Sequence, residues 1–177
     1  MKSFGVSPGL ARSQRGAVLL ISLVFLLLLT LSSLSSMQNA TLQEKMAGSV
    51  KLRNESFQFA EAALRIGESA VQRPDYSLPA CSTVTTCAPP PEAITLTAAG
   101  PRSASGVTWV AVSGGFYAVQ NFAITTDPVN VRPVAGSQEP EQWTLYRITG
   151  VGVQGGSRTV LESVYGVNRR IMWRQIQ

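Results

Sequence analysis

Cys81 and Cys87 are the residues whose type and spacing most directly suggest chemistry. Two thiols cannot complete a structural zinc site, which needs four ligands. On a chain exported from the cytoplasm, such a pair in a Ser/Thr/Pro-rich segment reads as a local disulfide. A ring this small restrains the unfolded chain by roughly 2 kcal/mol in the entropy account, and its expected role is to shape a surface loop, with a recognition surface as the functional alternative. The chain contains no histidine, which removes the commonest general base and the commonest transition-metal ligand together. Asp127, Glu139 and Glu141 offer oxygen ligands. Their spacing matches no recognised calcium loop, and solvated loop charges explain them better. Trp109, Trp143 and Trp173 beside arginines could stack single-stranded bases, but core and edge aromatics are the simpler reading. With no nucleophile motif and no phosphate loop, an enzyme is the class these residues support least, and neither a cofactor nor a nucleic-acid partner is expected.

The elements that would position such residues begin at Arg15. From Gly16 to Gln43 the sequence carries no charge, and residues 17–31 are almost solidly Leu, Val, Ile, Ala and Phe. About 20 apolar residues span a bilayer, so 17–36 is long enough. Of the 177 residues, 45% are hydrophobic, and the net charge is +5 from 15 basic and 10 acidic side chains. Lys2, Arg12 and Arg15 precede Gly16, leaving 12 against 10 beyond it. The basic excess is largely a topogenic N-terminus that holds this end in the cytoplasm.

A cleaved secretory signal is one reading of the run, with Ser33-Leu34-Ser35 as a small-x-small site. The downstream sequence argues against it. Met46, Val50, Phe57, Ala60, Leu64 and Val71 recur at helical spacing, interrupted on the same face by Arg53 and Gly67. Glu61 and Arg65 form an i,i+4 pair in the favourable order. No proline lies between Pro8 and Pro74, and Pro74 disfavours helix at Arg73. One helix over 17–72 is therefore expected, about 84 Å if straight. Its first half is apolar all round and its second half, 37–72, is amphipathic. Ser32, Ser33, Ser35 and Ser36 read as small residues that allow close helix contact, although serines can also back-bond and bend a helix.

These segments resemble a known family. A short basic leader ending in Arg15-Gly16, followed by the hydrophobic helix, is similar to type IV pilin precursors. Ala40-Thr41-Leu42-Gln43-Glu44-Lys45-Met46-Ala47-Gly48 and Phe59-Ala60-Glu61-Ala62-Ala63-Leu64-Arg65 resemble the PilX-type minor pilins. The likeness covers about residues 14–70. It implies a leader over 1–16, cleavage after Gly16 by a prepilin peptidase on the cytoplasmic face, and N-methylation of Ala17. Major pilins usually start with Phe or Met at that position. The fifth residue after the cut is Glu in most pilins, and here it is Ile21. In the family that carboxylate is thought to neutralise the terminal ammonium of an adjacent, earlier subunit, so Ile21 points to a place at the growing tip; the alternative is that Ile21 is simply a better membrane residue at a forgiving position.

Beyond the helix, 73–106 holds six prolines and reads as a connecting loop carrying the cysteine pair. The head, 107–177, shows strand signals at Val107–Val112, Phe116–Thr125, Gln142–Gln154 and Arg158–Asn168. Ser113-Gly114-Gly115 and Gly155-Gly156 read as hairpin turns, and Asp127–Pro140 as a loop. The expected fold class is α+β and pilin-like: a long N-terminal helix packed on a small, four-stranded antiparallel sheet. Residues 169–174 are expected as either an exposed tail or a last edge strand.

The expected function is a minor pilin that primes type IV pilus assembly at or near the tip, within a minor-pilin complex. Its implied partners are other minor pilins, the major pilin, the inner-membrane assembly platform, the prepilin peptidase and a tip adhesin. Its implied location is the inner membrane, crossed once with the head in the periplasm, and later the pilus tip or cell surface. Two alternatives stand beside it. A type II secretion pseudopilin at the tip would also lack the carboxylate, but usually carries a much larger helix-rich insertion. An ordinary single-pass membrane protein with a small periplasmic domain would keep its N-terminus uncut.

Overall fold

A computed structural model describes residues 14–126, 142–166 and 169–177, with side chains from residue 16 onward. Helix α1 runs Gln14–Val71, and the chain divides into two compact units between Gly48 and Ser49. In the first unit every helical side chain from Gly16 is exposed, including Leu23, Leu26 and Leu29. By length and composition this helix can cross a membrane. The serines close back-bonds inside it, Ser32 Oγ to Leu28 O and Ser33 Oγ to Leu29 O, both at 2.9 Å. The helix continues through them.

In the second unit, the α1 turns from Ser56 to Ala70 cover one face of an antiparallel sheet. Its strands are β1 (Gly100–Arg102), β2 (Val107–Val112), β3 (Gly115–Thr125), β4 (Trp143–Gln154), β5 (Ser157–Gly166) and β6 (Arg169–Gln175). They lie side by side in chain order. The expected sheet of four strands is therefore one of six among the described residues. β1 lies inside the expected loop, because Gly-Pro-Arg has little strand propensity and forms only by pairing with Val107–Trp109. β6 resolves the tail in favour of a last edge strand. The four expected strands all form, Val107–Val112 with the expected bounds and the other three shifted by a residue or two at one or both ends, and both hairpins turn where expected. Gly114 and Gly155 sit there at φ of +72° and +55°, a region open to glycine.

The expected amphipathic stripe holds from Phe57 onward, with Ala60 and Leu64 buried and Phe57 and Val71 packed beside them, and fails only in its first part. Met46 and Val50 are exposed, and burial begins at Ser56. Ala60, Ala63, Leu64, Gly67 and Ala70 then face the sheet. The reason is close approach. A Cβ on Gly152 would strike the Ser56 carbonyl, and one on Gly150 would meet the Ala60 carbonyl at 2.6 Å. Small residues on both partners let backbone lie on backbone, while Leu64, Ile148, Leu161 and Tyr165 close the flanks. Gly67, an interruption in the sequence pattern, is where Ile148 and Tyr117 press against the helix.

The opposite face of the sheet has its own core of Val107, Trp109, Ala118, Val151 and Val160, sealed by Ala93 and Leu96. The expected connecting loop is thus a cover. It contains the single turn α2 (Val84–Cys87) and a 3₁₀ turn over Pro91–Ile94.

Candidate assembly segment and head surface

Gly16, Ala17 and Ile21 lie on α1, with Ile21 exposed. Gly16 and Ala17 fall in its first turn, whose N–H groups have no partner within the helix, so this turn is the least costly part to unwind. The serine and threonine hydroxyls around them are satisfied internally, Ser22 by Leu19 O at 2.9 Å and Thr30 by Leu27 O at 2.8 Å. What remains on the outside of this segment is apolar surface with no core of its own. In water such a surface would drive association; by length and composition the helix that carries it is long and apolar enough to cross a membrane.

Cys81 and Cys87 are bonded, with Cα atoms 5.2 Å apart. The ring is organised from within by a capping box: Thr83 Oγ1 accepts from Thr86 N–H and Thr86 Oγ1 from Thr83 N–H, each at 3.1 Å. The ring and the chain leading into it are tied to the sheet by three side chains that no local pattern marks. Gln120 Nε2 donates to Thr86 O (2.7 Å) and Ala88 O (3.1 Å). Asn121 Nδ2 donates to Leu78 O at 2.9 Å, and Cys81 N–H donates to Asn121 O at 2.9 Å. Arg147 donates to Cys87 O at 2.5 Å, and its guanidinium sits 4.7 Å above the Phe122 ring.

Arg147 also faces Glu162, Nε to Oε2 at 3.4 Å. Neither atom has a hydrogen-bond partner, so the contact is an ion pair by charge without the geometry of a hydrogen bond. Burial pushes the Arg147 guanidinium below its ordinary value, and Glu162 opposes that shift. Arg174 closes the group, 3.0 Å from Glu162 Oε1. Glu92 supports the cover from below, accepting from Ser105 Oγ and, at 3.1 Å, from Trp109 Nε1. Its partial burial favours the neutral acid. The hydrogen bonds from Ser105 and Trp109, with the Arg102 charge, outweigh that and hold the carboxyl below its usual range.

On the helix side the polar contacts are equally specific. Ser56 Oγ lies 2.9 Å from Thr159 Oγ1 and 3.1 Å from Ser157 Oγ. Glu68 accepts from Ser163 Oγ (2.7 Å) and from both Arg170 Nε (2.7 Å) and Nη2 (2.9 Å). Gln72 donates to Tyr165 Oη at 2.5 Å. The sequence pattern missed this network. An acid at position 68 on an otherwise apolar face was its one available signal.

Trp109 and Trp143 are buried, and Trp173 stands half exposed on β6 with its ring edge against Phe57, centroids 6.5 Å apart. Asp127, Glu139 and Glu141 lie outside the described residues, as does the expected loop around them. Among the described residues no group of three acidic or sulfur side chains converges as a metal site would require.

Residues 15–65 match the family model of the PilX N-terminal region. No curated protein and no solved structure matches the chain.

Proposed function

We propose that this chain, a PilX-type pilin by its residues 15–65, is a minor pilin that primes type IV pilus assembly at or near the tip. The precursor would sit in the inner membrane through the apolar half of α1, with the head in the periplasm. Removal of 1–16 by a prepilin peptidase would free Ala17, the residue expected to be methylated. The apolar half would then leave lipid for a core of neighbouring helices, an exchange of one apolar surround for another. In this account the chain performs no reaction and is a substrate of the processing enzyme. Its partners would be other minor pilins, the major pilin, the assembly platform and a tip adhesin.

The observation that carries the tip assignment is Ile21 at the position where most pilins have glutamate. An ammonium left without a counter-ion in an apolar filament core costs several kcal/mol. A subunit that offers no carboxylate gains nothing by docking beneath an earlier one. It loses nothing where no earlier subunit exists.

The test is Ile21→Glu in a piliated host. Fewer pili, or the subunit redistributed along the shaft, is the outcome expected. Unchanged pilus number and unchanged incorporation would leave the tip assignment without support.

A further inference from the structure

The two edges of the sheet are built differently. β1 is three residues long and carries Pro101, which has no N–H to offer a stranger. β6 runs seven residues without proline, and no strand among the described residues pairs with its outer side. Met172 and Trp173 are 48% and 51% exposed there. Ile176 N–H donates to Val160 O at 2.9 Å, so Ile176 faces β5. Alternation then turns the main-chain N–H and C=O of Arg174 toward β5 as well and leaves those of Gln175 and Trp173 on the open side.

Charge narrows the occupant. β6 carries Arg169, Arg170 and Arg174 and no acidic residue; Glu68 pairs with Arg170 and Glu162 with Arg174, which leaves an excess of one positive charge. Arg169 is exposed and has no carboxylate in ion-pair reach among the described residues. A second copy would bring its own arginine row to the seam, and like charges across a strand pair repel. We propose that the open edge of β6 is a docking strand that takes an acidic, extended segment of a partner protein by main-chain pairing. Trp173 and Met172 give that segment apolar contact on the two faces, and the arginines select its charge. The proposal does not depend on processing or on filament entry.

The experiment uses the full chain in detergent micelles and a short, fluorescently labelled peptide of alternating Val and Glu, with a Val-Lys peptide beside it. Anisotropy should rise with the acidic peptide alone, and the binding should weaken as salt is raised. Arg169→Glu should weaken it about fivefold. Gln175→Pro, which removes one outward N–H at an edge where proline is tolerated, should abolish it while Gln175→Ala retains it. Circular dichroism shows whether the proline variant keeps the fold, and if it does not, Arg169→Glu decides. Binding of neither peptide, equal binding of both, or no loss in Arg169→Glu would overturn the proposal. So would Trp173→Cys chains that cross-link to one another and thereby exclude the peptide, since the occupant would then be a second copy.

Discussion

Glu68 on α1 and Arg170 on β6 form a two-pronged ion pair, Nε–Oε1 at 2.7 Å and Nη2–Oε2 at 2.9 Å, across 102 residues of sequence. Ser163 Oγ fills a further acceptor site on the same carboxylate. The pair therefore joins the helix to the far edge of the sheet, and hydrogen bonding to Glu68 holds the Arg170 guanidinium above its ordinary value. Because that value lies high, Arg170 stays charged at every pH in practical use.

Removing one partner strands the other. Glu68→Ala leaves Arg170 and Ser163 without their acceptor and should cost about 2 kcal/mol, discounted from a fully buried pair because Arg170 is partly exposed. Arg170→Ala should cost a similar amount, and the double variant less than the two together. Urea unfolding of the micelle-bound chain measures the cycle. Strict additivity would mean that the two side chains are neighbours without coupling.

Backbone contact at Gly152 makes a second prediction. The methyl of Gly152→Ala would meet main-chain atoms of Ser56 and Ala60, which cannot rotate away as a side chain can. The helix must lift from the sheet, and a loss of about 3 kcal/mol is expected. Gly156→Ala, with open space around the added methyl, is the matched control and should stay within about 0.5 kcal/mol of the parent. Equal thermal shifts in the two variants would contradict close helix docking.

Much of this architecture was legible in the sequence, and the boundary of legibility has a physical form. The apolar run, the Gly155-Gly156 hairpin and the four main strands each declare themselves through local pattern. Gly150, Gly152 and Gly67 do not, because a glycine marks close approach only once its opposite number is known. Ser56 reads as a polar break until Ser157 and Thr159 arrive beside it. The same holds for Glu68, whose partners lie about a hundred residues away, and for Ala93 and Leu96, short apolar signals among prolines that seal the second face. As for the candidate site, Gly16, Ala17 and Ile21 draw their meaning from the family likeness. The side chains that hold the Cys81–Cys87 ring, Gln120 and Arg147, carry no signal outside the fold.

Glu92 gives a pH dependence whose sign follows from its environment. Its folded value is lowered from an ordinary 4.5, so its contribution is fully present above that ordinary value. It is lost as pH falls through the lowered one. Acid unfolding should therefore be less steep below pH 4.5 in Glu92→Gln, which keeps an oxygen acceptor for Ser105 and Trp109 but cannot titrate. Trp109 fluorescence followed through the acid limb, in a Trp143→Phe, Trp173→Phe background, would report it. Superimposable acid limbs for parent and variant would remove Glu92 from the account.

The most direct measurement is the N-terminus of the membrane-extracted protein, by intact mass and terminal peptide. The account predicts a chain that begins at Ala17, with or without one added methyl group. A chain that begins at Met1 would make this a plain membrane anchor, and one that begins just after Ser35 an exported soluble domain; either result would contradict the filament.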